Sequence, residues 1–85
     1  MKTLHIIRDP SEQLALELAR HGSAHDSVSL LLIQDAVLAR PVLDGVAVYT
    51  LAEDVDARGI KDQRAEVDYD GAVRLMVNHD KVVVW

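Results

Sequence analysis

The chain has no cysteine and no phenylalanine, only two prolines, and more acidic than basic side chains. Without cysteine there are no disulfides, no thiolate metal ligands and no cysteine catalysis. The four glycines, at positions 22, 45, 59 and 71, never stand together. No glycine-rich phosphate loop can be built from them, which excludes the common dinucleotide and nucleoside-triphosphate sites. A formal charge of −5 lacks the basic footprint of direct nucleic-acid binding. No apolar run approaches the roughly 18 residues that span a bilayer, and the first apolar segment is too short for a secretory signal. The expectation is a cytoplasmic protein with neither a membrane nor a nucleic acid as its direct partner.

What remains is aliphatic. Hydrophobic residues make up 49% of the 85, while aromatics make up only 4%. The core must therefore be made of Leu, Val, Ile and Ala. A chain of this length suits one domain, residues 1–85, but covers its apolar surface poorly on its own. Association with other chains is expected before any motif is considered.

Strand-like and helix-like segments alternate along the chain. Thr3-Leu4-His5-Ile6-Ile7 reads as a strand, and Asp9-Pro10 as the start of a helix running to about Arg20 and closed by Gly22. In that helix Leu14, Leu18 and His21 form the expected apolar stripe, joined by Ala15 and Leu16. After a polar loop at 23–26, Val28 to Ile33 is an apolar run interrupted only by Ser29, the signature of a strand buried on both faces at the centre of a parallel sheet. A short helix over Ala36 to Ala39, capped by Asp35, stops before Pro41. Val46 to Tyr49 is the next strand, and Thr50-Leu51-Ala52-Glu53 has capping-box spacing for a helix from Leu51 to Arg58 that ends on Gly59. A short extended piece at 65–67, a helix from Tyr69 to about His79 capped by Asp68, and a strand from Val82 to Trp85 complete the order. Crossovers this long indicate an α/β fold with a mainly parallel sheet of about five strands and helices on both faces.

Ligands of such sheets gather beyond the carboxyl ends of the strands, where Asp9, Gln34, Asp35, Thr50 and Glu53 fall. Gln34, Asp35, Thr50 and Glu53 are accordingly the candidate residues for an interface or pocket edge. Asp9, Asp35 and Glu53 offer an alternative, a small-molecule or hard-cation site, although helix capping already accounts for these residue types. His21 and His25 have the i,i+4 spacing of a zinc pair, but Gly22 interrupts them and no third ligand is placed to join. His5 alternates with apolar neighbours and reads as packed, while His79 sits where a helix C-terminus favours a cation. Ser11, Ser23, Ser27 and Ser29 lack a nucleophile elbow. The residues thus assign no catalytic group, no cofactor and no metal, and favour binding or assembly over catalysis.

The succession "TLH", "LLLIQDAVLA", "VYTLAEDVDARGI" and "VDYDGAVRLMVNHDKVVVW" resembles the DsrH/TusB family of small sulfur-relay proteins over almost the whole chain. The resemblance implies a three-layer α/β/α sandwich. It also implies membership of a complex with homologous TusC/DsrF-like and TusD/DsrE-like subunits, similar to a dimer of heterotrimers, with a homo-oligomer as the other possibility. Such complexes relay persulfide sulfur, in the Tus system toward 2-thiolation of the tRNA wobble uridine and in the Dsr system within sulfur oxidation. A persulfide carrier needs a thiolate, so the missing cysteine excludes that role for this chain and leaves a supporting one.

Overall fold

A computed structural model describes residues 1–23, 26–61 and 64–85. The elements follow in the order β1 (Lys2–Ile7), α1 (Gln13–Gly22), β2 (Ser27–Leu32), a 3-10 helix (Gln34–Leu38), β3 (Val46–Leu51), α2 (Ala52–Ala57), β4 (Glu66–Val67), α3 (Tyr69–Asn78) and β5 (Lys81–Val84). The strands form one five-stranded sheet in the order β4-β3-β2-β1-β5, and each pairing is parallel. The mainly apolar run from Val28 supplies the central strand, flanked by β1 and β3.

Side chains alternate across the pleat and so build two cores. On one face Ile7, Val28, Leu30 and Leu32 pack against Ala15 and Ala19 of α1, Ala36 and Val37 of the 3-10 helix, and Val55 of α2. On the other, Leu4, Ile6, Leu31 and Leu51 meet Ala72, with Leu75 against them, both from α3 alone. The layers are therefore helical, sheet and helical, with the covering shared unequally.

Local chemistry departs from simple pattern reading at several points. The apolar stripe expected on α1 is not the buried one: Leu14 and Leu18 are 57% and 46% exposed, while Ala15 and Ala19 are fully buried. The sheet face already carries bulky aliphatics, so methyl side chains let the helix backbone come close. Asp9 and Pro10 precede α1 rather than opening it; the Asp9 carboxylate accepts from the backbone N–H and hydroxyl of Ser11 instead. The expected capping box at Thr50 does not form. Leu51 stands at the N-cap of α2 without a side-chain bond, and the Thr50 hydroxyl donates to the carbonyl of Ala65 at 3.3 Å. Gly59, at φ +63°, turns the chain after α2, a left-handed conformation that favours glycine.

Asp68 does cap α3, accepting from the N–H of Gly71 at 2.7 Å. Gly71 lowers helix propensity but allows close approach: a Cβ there would lie 3.0 Å from the Cβ of Val67. α3 stops at Asn78, and His79 follows it with its ring between the Leu75 carbonyl and the Ser29 hydroxyl. His25, and with it the zinc-pair spacing to His21, lies outside the described residues.

Candidate functional site

β1, β2 and β5 lie side by side and end together, which brings the residues after Ile7, Leu32 and Val84 to one edge of the sheet. A polar cavity of about 670 Å³ opens there, lined by Arg8, Asp9, Pro10 and Glu12 on one side and by Gln34, Asp35, Leu38 and Trp85 on the other. Arg8 donates through Nε to the carbonyl of Trp85 at 2.8 Å, joining the loops that follow β1 and β5. The indole of Trp85 turns back over β1 and donates to Nδ1 of His5 at 3.1 Å. Nδ1 must therefore be unprotonated, and burial followed by the positive charge of Lys81 holds the His5 pKa below its ordinary value.

The turn after β2 is the most constrained part of this edge. Gln34 has φ +52°, a left-handed conformation uncommon for a residue with a side chain. Two bridges to α2 hold it there. The N–H of Gln34 donates to Oδ2 of Asp54 at 2.7 Å, and Arg58 donates to Oδ1 of Asp35 from Nε at 3.0 Å and from Nη2 at 2.8 Å. Arg58 also approaches Asp54 Oδ1 at 3.6 Å, so one guanidinium serves both carboxylates. Asp35 is consequently not the cap of a helix beginning at Ala36. It lies inside the 3-10 helix, whose N-cap is Ile33, and its charge is turned toward α2.

The sequence candidates separate in space. Gln34 and Asp35 line the polar cavity. Thr50 is completely buried beneath the junction of β3 and β4 and does not line this cavity. Glu53 is exposed at the start of α2, close to the phenol of Tyr69, whose pKa it raises, with burial and Asp54 adding to the effect. Asp9 and Asp35 share the cavity but Glu53 does not, and no three His, Cys, Asp or Glu side chains among the described residues could hold a metal ion. Sequence reasoning missed Arg8, Trp85 and Arg58. Only Arg58 left a local trace, its i,i+4 spacing from Asp54.

A second depression lies on the α3 side of the sheet. It measures about 240 Å³, and its apolar wall is formed by Ile6, Leu31, Ile33, Leu51 and Val84 of the sheet side and Tyr69, Ala72 and Met76 of α3. The polar cavity contains no thiol, and the Ser11 hydroxyl donates to Asp9 in its wall at 2.7 Å. Its lining carries the carboxylates of Asp9, Glu12 and Asp35, the guanidinium of Arg8 and the amide of Gln34.

Residues 9–82 match the family described as DsrH like protein. The chain belongs to that family. Relatives of this DsrH-like chain include the Protein TusB of Photorhabdus laumondii, 36% identical over 69 residues and covering 66% of this chain and 73% of that protein. The Protein TusB of Salmonella dublin is 35% identical over 85 residues, 82% of each chain. In three dimensions the DsrH-like chain is similar to the ychN protein from E. coli, with a TM-score of 0.73 over 100% of both chains; at 20% identity this shows a shared fold. The family match takes in Gln34, Asp35, Asp54 and Arg58, but Arg8 and Trp85, which close the polar cavity, fall just outside it. Among the described residues no helix is long and apolar enough to cross a membrane.

Proposed function

We propose that this DsrH-like chain is a noncatalytic subunit of a sulfur-relay complex. In this reading it supports persulfide transfer by cysteine-bearing partner subunits of the TusC/DsrF and TusD/DsrE types, toward 2-thiolation of the tRNA wobble uridine. Residues 1–85 act as one domain of that complex in the cytoplasm. The observation that carries the reading is a family placement combined with the absence of any cysteine.

Sulfane sulfur is passed between thiolates through mixed persulfides, so a chain with none cannot be a station on the route. It can still shape the route. Gln34 and Asp35, fixed by Asp54 and Arg58, give the strand ends a rigid polar rim against which a partner's loop can settle. An aliphatic chain of this size gains stability by burying further surface in an assembly.

The test is sulfur tracing. Purified chain incubated with a cysteine desulfurase and radiolabelled cysteine is expected to remain unlabelled on a non-reducing gel. When the cysteine-bearing subunits are present, label is expected on them, and adding this chain is expected to speed its onward transfer. A covalent label on this chain would remove the supporting role.

A further inference from the structure

The two faces of the sheet differ in how completely they are closed, and Tyr69, Val73, Met76, Val77, Val82 and Val84 stand exposed beside the less covered one, while Leu14, Leu18, Leu38 and Val42 are exposed elsewhere. α3 turns Ala72 and Leu75 inward, yet it also presents Tyr69, Val73, Met76 and Val77 outward, with Val77 77% exposed. Tyr69 and Met76 belong to the wall of the apolar groove, and so does Val84 of β5. β5 is an outer strand paired only with β1, and Val82 and Val84 stand beside Leu4 and Ile6 on this same face. Groove, helix and edge strand thus make one continuous apolar surface. A contiguous exposed patch of this kind marks an interaction site rather than ordinary surface scatter.

The size and charge of the surface select its occupant. At about 240 Å³ the groove is smaller than the roughly 300–1,000 Å³ of small-molecule sites and suits one side chain inserted from a protein partner. At its rim the Glu53 carboxylate is near enough to the Tyr69 phenol to raise its pKa, and none of the ion pairs among the described residues involves Glu53. Asp70 lies on the first turn of α3, with Arg74 one turn further on to offset it. A second copy docking about a two-fold axis through this groove would bring Glu53 toward its own counterpart, on a chain already at −5.

We infer that the apolar groove and the outward face of α3 dock a subunit different from this chain. That subunit seats one aliphatic or aromatic side chain among Leu31, Met76 and Val84 and sets a Lys or Arg against Glu53. The inference rests on the reading of the chain as a complex subunit and adds to it the surface and the chemistry of the contact.

The test uses the complex obtained by co-expression with the cysteine-bearing subunits. A photo-cross-linking phenylalanine analogue is placed at position 73 or 77, and at 14 or 18 on α1 for comparison. Cross-links to a non-identical subunit are expected from 73 and 77. The double variant Val73→Glu, Val77→Glu, with both positions on the solvent side of α3, should melt like the parent and bind the partners about tenfold or more weaker. Glu53→Lys should also weaken binding, by a factor that shrinks as salt is raised. Cross-links only to a second copy of this chain, or only from α1, or an intact complex with the double variant, would overturn this surface while leaving the supporting role standing. If the parent forms no complex with those subunits at all, the role and the surface fall together.

Discussion

The two faces of this sheet are made from the same strands and meet different fates. One is covered by α1, the 3-10 helix and α2, and its core from Ile7, Val28, Leu30 and Leu32 to Val55 is buried. The other is covered by the ten residues of α3, and beside that helix an apolar groove stays open. Alternation along a strand divides its side chains evenly, so the strands do not decide which face is closed. The connections decide it. Three of the four crossovers place their helices on one side and only the last returns on the other. An uneven three-layer fold therefore leaves an apolar groove open without any unusual residue.

The contrast can be broken most severely from the closed side. Leu30 is completely buried under α1, so Leu30→Ala is expected to cost about 3 kcal/mol in urea unfolding. Val77→Ala on the open side should change stability by less than about 0.5 kcal/mol. Comparable losses at the two positions would mean that α3 is buried more deeply in the isolated chain than its exposure indicates.

A smaller effect is expected at the polar edge. Asp54→Ala removes the acceptor for the Gln34 N–H and one partner of Arg58, which should lower stability by about 1–2 kcal/mol. The same change should speed amide exchange over residues 34–38 relative to the rest of the chain. Uniform exchange would show that the left-handed turn is held by something other than the bridge to α2.

The smallest effect is a dependence on pH. His5 is neutral when it accepts from the Trp85 indole, and its folded pKa lies below the unfolded value. The unfolded chain therefore takes up a proton first as the solution is acidified. Stability is fully present above the unfolded pKa of about 6.5 and is lost as pH falls from there through the folded value. Emission from Trp85, the only tryptophan, should report the loss, and His5→Gln should flatten the part due to this group. An unchanged profile would place the acid sensitivity elsewhere.

Much of the fold could be read from the residues because the governing signals are local. The apolar run from Val28 to Ile33, interrupted only by Ser29, announced a central strand, and Asp68 before Tyr69 announced the start of α3. Leu14 and Leu18 misled because amphipathic spacing shows that a helix has an apolar side without showing how near it sits to a sheet. When the sheet supplies the bulk, alanine takes the inner place. Asp35 and Thr50 misled in a related way. Each has the chemistry of a cap, but Arg58 lies 23 residues from Asp35 and Ala65 lies 15 from Thr50. Partners at such separations cannot be chosen by spacing.

Composition alone excluded a thiolate at every position. The alternation of segments and the order of its motifs likewise determined the α/β class and the family. Only the tertiary structure decided that Arg8 and Trp85 close a polar cavity with Gln34 and Asp35, and that the open face carries an apolar groove. Local residue chemistry acts over one turn or one strand, whereas the strand order joins ends that lie nearly the whole chain apart.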